Sequence, residues 1–145
     1  MMKKRIVPFV LAICILTSLT VAINAVDMRA SSYLVAYSST LAAKGGGNMA
    51  TSIAVWGVDT MTKIGVQTIK IEEKCSATGS WHYYDTLKDT DDLDAFYDYG
   101  VSTFLNTFYF EGTPGYYYRV TATVYAGNKN GSDTGKTTSP ETLCK

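Results

Sequence analysis

Histidine is almost missing from this 145-residue sequence, His82 being the only one. A Ser-His-Asp or Cys-His catalytic site would have to use it, and a histidine metal site would need its other ligands from carboxylates or cysteines. Trp81 and Tyr83 flank His82 with opposite strand parity, and no nucleophile motif accompanies it. It therefore reads as a surface histidine on an outward strand face, and no enzymatic activity is expected. Gly45-Gly46-Gly47 lacks the following Lys-Ser/Thr of a phosphate loop and reads as a turn. The carboxylates are too scattered to suggest a glycosidase pair. Asn130-Gly131-Ser132 matches a glycosylation sequon but reads as a turn.

Long apolar runs are equally scarce: there is one, at the start. Lys3-Lys4-Arg5 precedes an apolar stretch from Ile6 to Ala22, and small residues follow in Ala22-Ile23-Asn24-Ala25. This is the tripartite pattern of a cleaved export signal. The run is short of the ~20 apolar residues a spanning helix needs, and it carries Pro8, Thr17, Ser18 and Thr20. Residues 1–25 are read as the signal peptide, with cleavage after Ala25 and alternative cuts after Ala22 or Ala30. Cys14 as a lipidated N-terminus is disfavoured, because Ile13 stands where a small residue is needed. Residues 26–145 are then one secreted domain without a stable membrane anchor.

Loss of the signal takes three of thirteen basic side chains and none of the thirteen acids. Ten against thirteen leaves a formal charge of −3. Such a chain has little electrostatic reason to bind nucleic acid or anionic lipid. Cys14 leaves too, so Cys75 and Cys144 remain as a pair in an oxidising compartment, and a disulfide is expected. Such a bridge would close a loop of about 70 residues and stabilise by roughly 4 kcal/mol at most.

Period-two alternation dominates the rest. Tyr33 to Tyr37, Met49 to Val58, Gly65 to Lys74, Trp81 to Leu87, Val101 to Phe110, Tyr116 to Ala126 and Thr134 to Leu143 read as strands. Pro140 marks the last as an edge. About seven strands without crossover helices predict an all-β fold, an antiparallel sandwich. Between the fourth and fifth runs lies an acidic stretch, Asp89 to Gly100. Its Asp89, Asp91, Asp92 and Asp94 are calcium candidates, although the run lacks the central glycine and terminal glutamate of an EF-hand loop. The competing reading is a solvated loop or short helical turn, with Leu93 and Phe96 packing on the end of the sandwich. No other cofactor is expected.

The segment Pro114-Gly115-Tyr116-Tyr117-Tyr118-Arg119-Val120-Thr121-Ala122 resembles the sixth strand of fibronectin type III and related immunoglobulin-like sandwiches. The resemblance implies a tyrosine corner, with Tyr118 as first candidate and Tyr116 as second. Val120 stands where antibody domains carry a cysteine, so their inter-sheet disulfide is not implied. Ile69-Lys70-Ile71-Glu72 followed by Gly79-Ser80-Trp81 is similar to the third strand of bacterial fibronectin-like modules. In that topology the third and last strands flank the sixth, placing Cys75 and Cys144 at one pole. They would sit two strand spacings apart, ~10 Å, so the loop after Lys74 would have to lean inward to bring the Cα atoms within the ~7 Å a bridge needs.

Arg29 to Tyr37, Leu41 to Gly47, Met61 to Gly65 and Gly131 to Thr134 together resemble a family of small secreted proteins of Gram-positive bacteria. That family is of unknown function and implies no catalytic residues. Eleven tyrosines, five phenylalanines and two tryptophans are the remaining lead. Exposed rings on a sandwich face could stack on sugars. Tyr117 and Tyr125 point opposite to Tyr118 and Val120 and are the expected exposed contacts. The chain is expected to be an extracellular binding or interaction module for a protein or glycan. A secreted effector, such as a small toxin or bacteriocin, is the alternative.

Overall fold

The computed structural model describes residues 31–145, and the signal peptide expected at residues 1–25 lies outside them. Strand β1 (Leu34–Gly45) turns into β2 (Asn48–Met61), followed by β3 (Lys63–Lys74) and β4 (His82–Lys88). One helical turn, α1 (Leu93–Phe96), leads through β5 (Tyr97–Asp98) to β6 (Val101–Glu111). The chain closes with β7 (Tyr117–Asn128), β8 (Gly131–Thr138) and β9 (Thr142–Leu143). Seven of these strands are long, and β5 and β9 are two-residue additions.

The strands form two antiparallel sheets. Sheet A has the order β1-β2-β6 and sheet B the order β4-β3-β7-β8, with β5 on β3 and β9 on β7. The protein is an antiparallel sandwich of the immunoglobulin and fibronectin type III kind. Its fourth strand pairs with the third, whereas in immunoglobulin constant domains it joins the sheet of the first, second and fifth.

The core follows from side-chain parity. Ile53, Val55, Phe104 and Phe108 of sheet A meet Ile69, Ile71, Val120, Ala122 and Val124 of sheet B, and all are buried. Tyr37 also points inward, and its ring fills the place of a side chain at Gly135. A Cβ there would stand 2.5 Å from the Tyr37 Cζ. The β1–β2 connection needs glycine for a different reason. Gly45, Gly46 and Gly47 all have positive φ, at 92°, 63° and 83°, which other residues adopt only with strain.

Two strands differ in extent from the sequence reading. β1 runs eight residues past Tyr37, to Gly45. Its second half, Ser38 to Lys44, alternates only weakly in hydropathy and takes its order from ladder pairing with Met49 to Ala54. The last run is broken: β8 ends at Thr138, and the Ser139 amide and Oγ turn to the Val120 backbone at 2.8 and 3.0 Å. Pro140 then separates it from β9. The acidic stretch forms α1, in which Phe96 is buried at 4% exposure while Leu93 stands 54% exposed, so only Phe96 packs inward.

Candidate binding surface

Tyr118 sits at the first turn of β7 with its ring against Tyr84 and Phe110, at centroid distances of 5.4 and 5.7 Å. Its hydroxyl accepts from the Thr113 N–H at 2.7 Å, five residues upstream, and donates to Glu73 Oε2 at 2.9 Å. That is the geometry of a tyrosine corner. Tyr116 instead packs part-buried against the core. Burial pushes the Tyr118 phenol up; the Thr113 hydrogen bond pulls it down and Glu73 raises it, with a net rise.

Cys75 and Cys144 do not form the expected bridge. Both are free thiols, Cys75 exposed and Cys144 buried. Lys74 pairs with Tyr117 across one side of β7, and the Cys144 N–H donates to Tyr116 O across the other. The cysteines therefore flank Tyr116, two strand spacings or ~10 Å apart. The loop after Lys74 does not lean inward to close that gap. It folds on itself, the Gly79 N–H donating to Ser76 O at 3.1 Å and Lys74 Nζ to Ala77 O at 3.0 Å. Burial raises the pKa of the Cys144 thiol, which faces Gly47 O at 3.6 Å.

The calcium candidates are engaged locally. Asp89 Oδ2 accepts from the Tyr97 hydroxyl at 2.7 Å, Asp91 from the Lys88 N–H at 3.1 Å, and Asp92 caps α1 through the Ala95 N–H at 3.2 Å. Asp94 lies exposed in the first turn of α1. Among the described residues no group of three or more His, Cys, Asp or Glu is placed to hold a metal ion. His82 is exposed at the start of β4, opposite Glu73.

The outward face of sheet B is occupied by its own charges. Glu72 accepts from Arg119 Nε at 3.0 Å and pairs with Lys70 Nζ at 3.1 Å. Burial pushes its carboxyl up, but the hydrogen bonds and charges of Arg119 and Lys70 outweigh that and hold it below the usual value. Lys74 is buried and pairs with Glu141 at 2.6 Å. The Lys74 ammonium lies 4.7 Å from the Trp81 ring centroid and Arg119 4.4 Å from it, so two cations cover that ring. Tyr117 is half-buried beside Lys74, at 5.5 Å. Tyr125 is half-buried against Tyr97, with Lys63 within 5.6 Å of its ring. The two rings expected to stand free are thus covered, because lysines on the neighbouring strand β3 lay their chains across the same face.

The outward face of sheet A is its opposite. β1 presents Ala36, Ser38, Thr40 and Ala42; β2 presents Trp56, Ala54, Ser52 and Ala50; and β6 presents Thr103, Leu105, Thr107 and Tyr109, in register across the three strands. None of the twelve is charged. Charge returns only beyond the last row, at Lys44 and Glu111. A hydroxyl row crosses the middle, where Ser52 Oγ and Thr107 Oγ1 share a hydrogen bond of 2.8 Å. Leu105 and Tyr109 are each 69% exposed and Trp56 is 38% exposed. Sequence reasoning did not join Trp56 to Leu105 and Tyr109. That step requires the β2–β6 register, which links residues about fifty positions apart.

The free edge of β6 is capped beside this face. Asn106 Nδ2 donates to Ala95 O at 2.8 Å while its Oδ1 takes the Thr107 N–H at 2.8 Å. At the far end the Tyr84 hydroxyl donates to Glu111 O at 2.5 Å. Among the described residues no helix is long and apolar enough to cross a membrane.

No protein-family model matches the chain, and no curated protein is similar to it.

Proposed function

We propose that the protein is an exported, non-catalytic binding module that works through the outward face of sheet A, its partner a protein or glycan at or near a cell envelope. Export rests on the basic head and apolar run of residues 1–25. The resemblance to small secreted Gram-positive proteins agrees with it. The observation that carries the binding reading is the contrast between the two faces. Strands β3 and β7 of sheet B pair most of their aromatic and charged groups with one another, and among the described residues Tyr83 of β4 is the one ring of that face left standing well clear, beside charged neighbours. Sheet A leaves Trp56, Leu105 and Tyr109 exposed on an uncharged surface, and contiguous exposed apolar patches of this kind mark interaction sites.

The test is co-sedimentation of the purified secreted protein with envelope material from the producing organism and from other bacteria. Wild-type protein is expected in the pellet. The double variant W56S/Y109S is expected in the supernatant, and Y83S, which alters an exposed ring of β4, is expected to pellet as wild type does. Equal retention of W56S/Y109S and wild type overturns the assignment of the face. Absence of wild-type retention overturns the binding reading itself.

A further inference from the structure

The chemistry of the sheet A face also restricts what can occupy it. Resting on the binding reading above, we infer that the occupant is a neutral, linear glycan chain lying along the strands from the Trp56 end to the Tyr109 end.

Charge gives the first restriction. Twelve outward positions carry no acid and no base, so the face has no counter-charge for a polyanion or a basic peptide. The chain's formal charge of −3 after residue 25 disfavours anionic polymers further. Area gives the second. Trp56 and Ala50 lie six residues apart on β2, and Ala50 pairs with Tyr109, which sets a length of about 20 Å at ~3.4 Å per residue. Three strands with their side chains are about 15 Å wide, giving roughly 300 Å². A stable protein partner, including a second copy of this chain, needs about 800 Å² per side. The twelve uncharged positions alone do not reach that.

A sugar chain fits both restrictions. Its rings present C–H faces that stack on aromatics and a rim of hydroxyls that exchange hydrogen bonds without charge. Trp56 and Tyr109 supply a ring at each end. Ala54 forms a low, part-exposed floor between them beside the projecting Leu105, while Ala50 is already covered. Thr40, Ser52 and Thr107 provide hydroxyls across the middle, where Ser52 and Thr107 already orient each other. The face runs about 20 Å along the strands, the reach of a short oligosaccharide.

Affinity electrophoresis and fluorescence titration of the full secreted protein test this, with neutral linear β-glucans, xylan and chitin oligosaccharides of two to six units as probes, and pectate as the anionic control. Retardation by at least one neutral chain is expected, with affinity rising with chain length and then levelling once the face is filled. W56A and Y109A are each expected to weaken binding about tenfold, the equivalent of one lost ring contact. The circular dichroism of both should match wild type, and Y109A should keep the wild-type melting curve because its ring is 69% exposed. A blue shift of the Trp56 emission should accompany binding and vanish in W56F, because Trp81 is already covered. Retardation by pectate alone, unchanged affinity in both alanine variants, or dimerisation through this face overturns the glycan assignment. Envelope retention that needs Trp56 and Tyr109 but is abolished by protease treatment of the envelope also overturns it, while leaving the binding face in place.

Discussion

Replacing Tyr118 by phenylalanine removes one oxygen and keeps the ring that packs on Tyr84 and Phe110. That oxygen makes two hydrogen bonds, from the Thr113 N–H at 2.7 Å and to Glu73 Oε2 at 2.9 Å. A neutral hydrogen bond is worth about 1 kcal/mol and one to a charged group about 1.5–3 kcal/mol. Both former partners regain some water, Thr113 being exposed and Glu73 half-buried, so the expected loss is about 2 kcal/mol. With an unfolding entropy near 2.1 cal/mol/K per residue, the ~115 described residues give ~0.24 kcal/mol/K, and the melting temperature should fall by about 8 °C. Urea denaturation of wild type, Y118F, E73Q and Y118F/E73Q completes the cycle. A coupling of about 1 kcal/mol is expected between the two positions. A Y118F loss below about 0.5 kcal/mol would show that the corner does not hold the β6–β7 turn, and additive effects in the double variant would show that the Glu73 contact adds nothing to it.

Alkylation of the native protein by iodoacetamide should label Cys75 and spare Cys144 until urea is added, and mass spectrometry reads the difference; a native mass two hydrogens lower, with neither thiol labelled, would contradict the free pair. G135A places a Cβ 2.5 Å from the Tyr37 ring and should cost about 1–3 kcal/mol by chemical denaturation. Burial, followed by the hydrogen bond to Asp89, raises the Tyr97 phenol well above 10, so the folded state keeps a proton that the unfolded state gives up. Its contribution is therefore complete below pH ~10 and declines as pH rises beyond that. Stability followed from pH 8 to 11.5 should fall above 10, and Y97F should flatten the decline.

The strands with strong alternation were legible without coordinates. β7 places Tyr118, Val120, Ala122 and Val124 inward as its parity requires, and the Pro-Gly turn before it delivers Tyr118 to its corner. Strands carrying Ser, Thr, Ala and Gly were less legible. The second half of β1 and most of β8 owe their conformation to the partner strand, and hydropathy alone says little about them. Side-chain cover was the other blind spot. Parity correctly turned Tyr117 and Tyr125 away from the core, but it does not reveal that Lys74 and Lys63 reach over them. For the cysteines, strand counting had already put ~10 Å between them, and the decisive matter was the course of a loop that residue types do not fix.

An open rim on a β-sandwich is a template on which identical chains can stack end to end into fibres. β6 has the composition for it, eleven residues without proline and with one terminal charge. The Asn106 bonds and the Tyr84 bridge to Glu111 O take up backbone and neighbouring groups that an incoming strand would have to displace. The rim is thereby kept from pairing with the same rim of a second copy. N106A/Y84F should turn a clear solution into one that binds thioflavin T on prolonged incubation.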